Sequence, residues 1–240
     1  MNKTAIEYIV NPDGSPGFSW NPISGCLHGP EVCPVVDDCW ARAYANRFRS
    51  NYGPGFRPVM HWTRLQEPLA RKGPARIGVS FTGDFFGPQV YRHWQEQVLE
   101  IVRACTHQFL FLTKNGEQLP QFNPWPDNCH VGVTITGALP DVDWWNLEAL
   151  AKVQAPVRWV SFEPLLAPWK GDLRNIQWVV IGAKSGPHAR CPEVEWVGAI
   201  MDEAGKRGIP IWMKRNLSPC WPAEDLIQEL PGEKGARPGP

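Results

Sequence analysis

The chain has 240 residues, and its 24 lysines and arginines are balanced by 24 aspartates and glutamates. This balance excludes a protein that is basic over its whole surface, although a local basic patch remains compatible with it. The sequence has no run of eighteen apolar residues and no charged-then-apolar leader, so we expect a cytoplasmic protein without membrane contact. The length suits one α/β domain.

Both ends of the chain are rich in glycine, proline and charged residues. We therefore expect residues 1–17 to be a flexible N-terminal segment and residues 232–240 to be a flexible tail. Residues 18–231 would then form the single domain.

A cysteine-rich segment follows the N-terminal residues, with the sequence WNPISGCLHGPEVCPVVDDCWA at residues 20–41. Cys26, Cys33 and Cys39 are separated by glycines and prolines that form turns, so the backbone can fold the three thiols toward one point. A helix is predicted over residues 38–50, and a thiol at its start is favoured as the thiolate. Seven cysteines in a reducing cytoplasm are typical of metal binding more than of a disulfide framework.

Three interpretations of these cysteines are possible. Three thiolates can hold a four-iron cluster with one iron left open, or a zinc ion with His28 as the fourth ligand. The spacing lacks the paired CxxC that zinc sites usually show. An iron–sulfur cluster, a zinc ion and no metal at all therefore stay open at this point.

From residue 75 onward, short apolar runs alternate with segments of helical periodicity. Runs that are apolar at successive positions are typical of parallel strands buried on both faces. The predicted strands are 76–81, 108–113, 130–135, 157–162, 177–182 and 209–214, and the predicted helices are 90–105, 143–153 and 193–208. No GxGxxG turn follows an early strand, which disfavours a dinucleotide-binding sheet. We expect a partial or small TIM-like barrel of six or seven βα units, with the cysteine loop near its N-terminus.

Polar residues follow nearly every predicted strand. Each of them alone is better explained as a solvated loop residue or a helix cap, but functional groups of parallel α/β folds gather at the carboxyl ends of the strands. The candidates are Thr82, Gly83, Asp84, Lys114, Thr134, Glu163, Lys184, Ser185, Arg190 and Lys214. Their recurrence predicts one shared site.

A family resemblance rests on seven blocks in fixed order: SWNPISGC, VSFTGDFFG, FLFLTKN, VGVTITG, RWVSFEPLL, WVVIGAKSGPHAR and IPIWMKRN. Together they resemble a phage-borne family of unknown function with an N-terminal three-cysteine motif, which is similar to radical S-adenosylmethionine (radical SAM) proteins. The resemblance covers about residues 18 to 216. The family tends to place its second and third cysteines as CxxC followed by Tyr-Ala, whereas here five residues intervene and Trp40 replaces the tyrosine.

The resemblance implies a [4Fe-4S] cluster held by Cys26, Cys33 and Cys39, with S-adenosyl-L-methionine bound at its open iron. One-electron reduction would then give a 5′-deoxyadenosyl radical that removes hydrogen from a substrate. A reductase or a ferredoxin- or flavodoxin-type protein would donate the electron. A phage-encoded protein of this kind would act in the host cell cytosol.

The resemblance and the strand-end positions together assign roles. The candidate cofactor-binding residues are Thr82, Gly83, Asp84, Thr134, Glu163 and Ser185. Glu163 and Lys184 are the candidate catalytic residues, and Lys114, Arg190 and Lys214 are candidates for binding an anionic substrate.

The leading hypothesis is thus a radical SAM enzyme that modifies a nucleotide or a DNA base, either as a small molecule or in nucleic acid. The alternative is a zinc-stabilised nucleic-acid-binding or nuclease-like protein in which the cysteines are structural.

Overall fold

The structure is a computed structural model that describes residues 1–48, 52–186 and 188–232. Within these ranges the helices are α1 (Trp40–Arg47), α2 (Arg92–Arg103), α3 (Pro140–Ala151) and α4 (Val194–Lys206). The strands are β1 (Asn2–Lys3), β2 (Phe18–Trp20), β3 (Ile23–Ser24), β4 (Val59–Met60), β5 (Arg76–Val79), β6 (Gln108–Thr113), β7 (Cys129–Thr134), β8 (Val157–Phe162), β9 (Trp178–Ile181) and β10 (Ile211–Met213).

Eight of these strands form one sheet in the order β1-β2-β5-β6-β7-β8-β9-β10. β1 is antiparallel to β2, and every other neighbouring pair is parallel. β3 and β4 form a separate antiparallel pair. The prediction of an α/β fold with a parallel sheet is confirmed, and each of the six predicted strands overlaps one of β5 to β10. The order is linear, so closure into a barrel stays a prediction.

The two faces of the sheet are covered differently. One face packs on the helices; on α2, for example, Val98, Leu99 and Val102 are buried against it. The other face is filled by aromatic side chains, among them Trp159 and Trp178, whose ring centroids lie 5.3 Å apart. Both faces of the strands are thus shielded from water, which explains why the strands are apolar at successive positions.

The N-terminal segment takes part in this second layer. We expected residues 1–17 to be flexible, whereas the structure packs Tyr8 and Ile9 against Trp159 and Trp178, with exposed fractions of 3% and 0%. The Gly17 amide also donates to the Ile9 carbonyl at 2.7 Å. The segment is held because it covers apolar surface that the sheet would otherwise expose. Of the predicted flexible tail, residues 233–240 lie outside the described residues.

The cysteines outside the loop include one bonded pair. Cys191 and Cys220 form a disulfide with 6.0 Å between their Cα atoms, whereas the composition argued against disulfides. The two residues follow β9 and β10, which are neighbours in the sheet, so the loops that carry them meet. Cys105 and Cys129 are free thiols. In the described part of the chain, no helix has both the length and the apolar character needed to cross a membrane.

Candidate functional site

A cavity of about 380 Å³ lies at the carboxyl ends of the parallel strands. This volume is within the range of sites that bind small molecules. Its wall includes Gly83, Asp84, Lys114, Thr134, Ser161, Glu163, Lys184, Ser185 and Lys214 from the strand ends, and Cys33, Asp38, Cys39 and Trp40 from the cysteine segment. The strand-end residues and two of the three loop cysteines therefore share one space.

Three predicted site residues do not line this cavity. Thr82 lies beside it, where its carbonyl accepts a hydrogen bond from the Gly25 amide at 3.2 Å. Arg190 is exposed, and its guanidinium donates to the Leu166 carbonyl at 3.0 Å. Cys26 does not line the cavity and packs against Phe56 and α1. The other ten candidates are brought together as predicted.

The start of the cysteine loop is held against the end of β5 by two glycines. Gly25 and Gly83 form a parallel bridge, in which the Asp84 amide donates to the Gly25 carbonyl at 3.3 Å. A Cβ atom at Gly83 would lie 2.4 Å from the Gly25 oxygen, closer than any side chain tolerates. Gly25 itself has φ +94°, which favours glycine. The close approach of Gly25 and Gly83 explains why Cys26, the next residue of the loop, lies near Asp84.

The three loop cysteines gather at one end of the cavity without meeting at a point. Cys26 and Cys39 pack on the same small cluster, which includes Phe56 and the buried side of α1, and Cys33 and Cys39 line the wall. Burial, and then the charge of Asp84, raise the pKa of Cys26 to about 12. Among the described residues, no three His, Cys, Asp or Glu side chains are arranged as a metal site.

Asp84 is a buried junction between the cysteine loop and the sheet. Its carboxylate accepts hydrogen bonds from the Thr113 hydroxyl at 2.7 Å, the Lys114 amide at 3.0 Å and the Phe86 amide at 2.9 Å. Nε2 of His28 lies 2.9 Å from the same carboxylate. Burial opposes ionisation, but these hydrogen bonds outweigh it and hold the pKa of Asp84 below its usual range. The bonding capacity of both Asp84 and Nε2 of His28 is therefore used within the protein.

The other charged residues of the cavity form two ion pairs. Lys214 pairs with Glu163, and both side chains are partly buried. Lys184 pairs with Asp38 at 2.5 Å, and Nδ1 of His188 lies 3.3 Å from the same carboxylate. Lys184, predicted to be catalytic, thus also fastens the cysteine loop to the opposite rim.

The charge of Lys114 has no such counterion. No ion pair to its ammonium group occurs among the described residues, and its charge favours the Cys26 thiolate. A cation that lines a cavity and lacks a protein counterion can attract an anionic ligand.

Ser161 and Tyr8 are among the wall residues that were not predicted from the sequence. Ser161 is fully buried on β8, and its hydroxyl has no hydrogen-bond partner within the described residues. The sequence signal for Ser161 was that its hydroxyl is the only one in the otherwise largely apolar run VRWVSF. Tyr8 belongs to the N-terminal segment, and burial and the charge of Glu163 raise its pKa. No pattern around Tyr8 indicated that it would reach the cavity.

Comparison with known proteins places the chain in a family. The family described as "Protein of unknown function (DUF5131)" matches residues 3–226, which is most of the chain. The chain belongs to the DUF5131 family. No curated protein and no solved structure matches it. Since the description of DUF5131 names no activity, the function of this DUF5131 protein has to be argued from the cavity.

Proposed function

We propose that this DUF5131 protein is a radical SAM iron–sulfur enzyme built on a partial TIM-like barrel of βα units. One observation carries the proposal. The loop after β2, the first parallel strand, brings Cys33 and Cys39 into the wall of a cavity that the polar ends of the other parallel strands complete. Three thiols and a ligand-sized space at the carboxyl ends of the strands are the parts that such an enzyme requires.

The donor set fits a [4Fe-4S] cluster in chemistry. Cys26, Cys33 and Cys39 are free thiols, of which Cys33 and Cys39 line the cavity, and thiolates are the ligands of such clusters. Binding of iron would deprotonate Cys26 and draw the loop together, since metal binding and local folding are coupled. When bound, the cluster and S-adenosyl-L-methionine supply one-electron reductive chemistry that yields a 5′-deoxyadenosyl radical.

The residues of the chain would bind and orient the cofactor and the substrate. Thr134, Ser161 and Ser185 line the cavity, and their hydroxyls are groups that can hydrogen-bond ribose or carboxylate oxygens. Glu163 accepts from Lys214 and, being only partly buried, keeps an oxygen for a ligand or for accepting a proton. Gly83 lets the cysteine loop lie against the end of β5, because a side chain there would collide with the Gly25 backbone.

The substrate we propose is a nucleotide or a DNA base. Lys114 is the cavity cation without an ion-pair partner among the described residues, whereas Lys184 and Lys214 are paired with Asp38 and Glu163. An anionic group such as a phosphate is the natural counterpart of the Lys114 ammonium group. The phage setting, the cytoplasmic location and the ferredoxin- or flavodoxin-type electron donor are parts of the proposal that rest on the resemblance.

Asp84 was a candidate cofactor-binding residue in the sequence, and in this proposal it has a structural role. Its carboxylate is occupied by four protein groups, so we assign it to holding the cysteine loop and not to binding the cofactor ammonium. In the zinc alternative, Nδ1 of His28 would be the ring nitrogen that binds the metal, because Nε2 is engaged by Asp84.

Reductive cleavage of S-adenosyl-L-methionine tests the proposal. The protein is purified without oxygen, supplied with iron and sulfide, reduced with dithionite and assayed for 5′-deoxyadenosine by mass spectrometry. We expect the wild-type protein and Cys105→Ala to form 5′-deoxyadenosine and Cys33→Ala to form none. A wild-type protein that holds four irons and forms no 5′-deoxyadenosine would refute the activity, and one that holds a single zinc would establish the alternative.

A further inference from the structure

The segment around α1 differs in composition from the rest of this neutral chain. Residues 39–66 contain five arginines and neither aspartate nor glutamate. The arginines are Arg42, Arg47, Arg49, Arg57 and Arg64, of which Arg49 lies outside the described residues. A run of 28 residues without an acidic side chain gives this segment of the chain a net positive charge.

The same segment exposes a row of aromatic rings. Trp40, Tyr44 and Phe48 are spaced four residues apart along and just beyond α1, and their exposed fractions are 61%, 47% and 39%. The spacing puts them on one face of the helix. The Tyr44 and Phe48 ring centroids lie 4.5 Å apart, and the Arg47 guanidinium lies 5.5 Å from the Phe48 ring. Trp40, Tyr44, Arg47 and Phe48 are called the α1 surface below.

The row begins at the cavity and leads away from it. Trp40 is part of the cavity wall, and Tyr44 lies one helical turn further along α1. Beyond Tyr44 the row continues to Tyr52, whose ring centroid is 6.4 Å from that of Tyr44. A ligand on the α1 surface would therefore reach the cavity entrance without crossing another surface.

The chemistry of the α1 surface favours one class of partner over the others. Exposed aromatic rings stack on bases and arginines pair with phosphates, which is how proteins hold single-stranded nucleic acid. A membrane-bound helix buries a broad apolar face in the lipid, whereas α1 (WARAYANR) has no Leu, Ile, Val or Met and packs Ala41 and Ala45 into the protein. A second copy of the chain would bring two sets of arginines together without an acidic counterpart.

We propose that the α1 surface binds single-stranded nucleic acid and directs a base of the strand toward the cavity. The inference deepens the proposed function, because it gives the substrate class as a polynucleotide. Any chemistry at the bound base rests on the proposed function. Binding itself requires only the rings and guanidinium groups of the α1 surface.

Fluorescence anisotropy with the full-length protein tests the inference. The probes are a labelled 12-nucleotide single-stranded DNA, the RNA of the same sequence and the corresponding DNA duplex, all without S-adenosyl-L-methionine. We expect the protein to bind one or both single strands, with affinity that falls as salt rises, and to bind the duplex more weakly. Tyr44→Ala should weaken single-strand binding about 10-fold, and Arg47→Ala should weaken it and lessen its salt dependence.

Two matched variants serve as controls. Trp144→Ala removes an aromatic side chain of comparable exposure from α3, and Arg174→Ala removes an exposed guanidinium away from α1. Neither should change binding, and thermal melting shows that each variant is folded.

The inference is overturned if the wild-type protein binds neither single strand, or if Trp144→Ala weakens binding as much as Tyr44→Ala does. It is also overturned if Tyr44→Ala abolishes binding to anionic phospholipid vesicles while single-strand binding is unchanged. A wild-type protein that forms 5′-deoxyadenosine but does not bind nucleic acid would overturn this inference and leave the proposed function intact. Conversely, a protein that binds the strand and never forms 5′-deoxyadenosine refutes the proposed function alone.

Discussion

The two ends of the parallel sheet both carry polar residues, but they use them differently. At the amino end, Nε of Arg76 donates to Gln108 at 2.6 Å, and the Gln108 amide donates to Nε2 of His130 at 2.6 Å, which links the starts of β5, β6 and β7. At the carboxyl end, Glu163 and Lys214 line an open cavity. Polar side chains that bond across strands stabilise the sheet, whereas those that line a cavity are available to a ligand.

Asp84 is the exception at the carboxyl end. It lies in the cavity wall, yet four protein groups are hydrogen-bonded to its carboxylate. In this respect Asp84 resembles the hydrogen-bonded network at the amino end. Substitutions at Asp84, Glu163 and His130 should therefore separate stability from ligand binding.

The largest effect on stability is expected for Asp84→Ala. The substitution leaves the buried Thr113 hydroxyl, the Lys114 amide and His28 without their acceptor, and the expected loss is about 3 kcal/mol or more of the free energy of unfolding. Urea denaturation measures it. Asp127→Ala, at an exposed position, should leave the midpoint unchanged. A loss no greater for Asp84→Ala than for Asp127→Ala would show that the junction is not structural.

Glu163→Gln should affect ligand chemistry more than stability. The side chain keeps its size and can still accept from Lys214, so we expect the free energy of unfolding to change by about 1 kcal/mol or less. The formation of 5′-deoxyadenosine should fall about 10-fold or more if the carboxylate contacts the cofactor or a transferred proton. If stability falls as far as in Asp84→Ala and turnover is unchanged, the assignment of the two carboxylates is reversed.

His130→Gln should change the dependence of stability on pH. Burial, and then the charge of Arg76, lower the pKa of His130 to about 3, whereas an unfolded chain takes up the proton below about pH 6.5. The stabilisation is therefore present above pH 6.5 and is lost as the pH falls toward 3, by up to about 1.4 kcal/mol per pH unit.

Denaturation at pH 7, 6, 5 and 4 measures this effect. The wild-type curve should fall more steeply with acid than that of His130→Gln, and His93→Gln, an exposed matched control, should follow the wild type. Parallel curves for the wild type and His130→Gln would contradict the burial of a neutral His130.

Much of the fold was predictable because its strands are continuous apolar runs with helical segments between them. Glu163 and Lys214 could be identified as site residues because they follow predicted strands. The role of Asp84 could not, since its partners His28 and Thr113 come from different segments and only the tertiary structure joins them. Tyr8 and the Cys191–Cys220 pair were missed for the same reason, because their contacts depend on which loops and faces become neighbours.

Iron content tests the central claim, that Cys26, Cys33 and Cys39 hold a cluster at this cavity. The wild-type protein, purified and reconstituted without oxygen, should contain about four irons per chain and be brown, with broad visible absorption. Alanine at any of the three cysteines should remove the colour, while Cys105→Ala and Cys129→Ala should retain it. A colourless wild-type protein, or a full cluster in Cys33→Ala, would contradict the account.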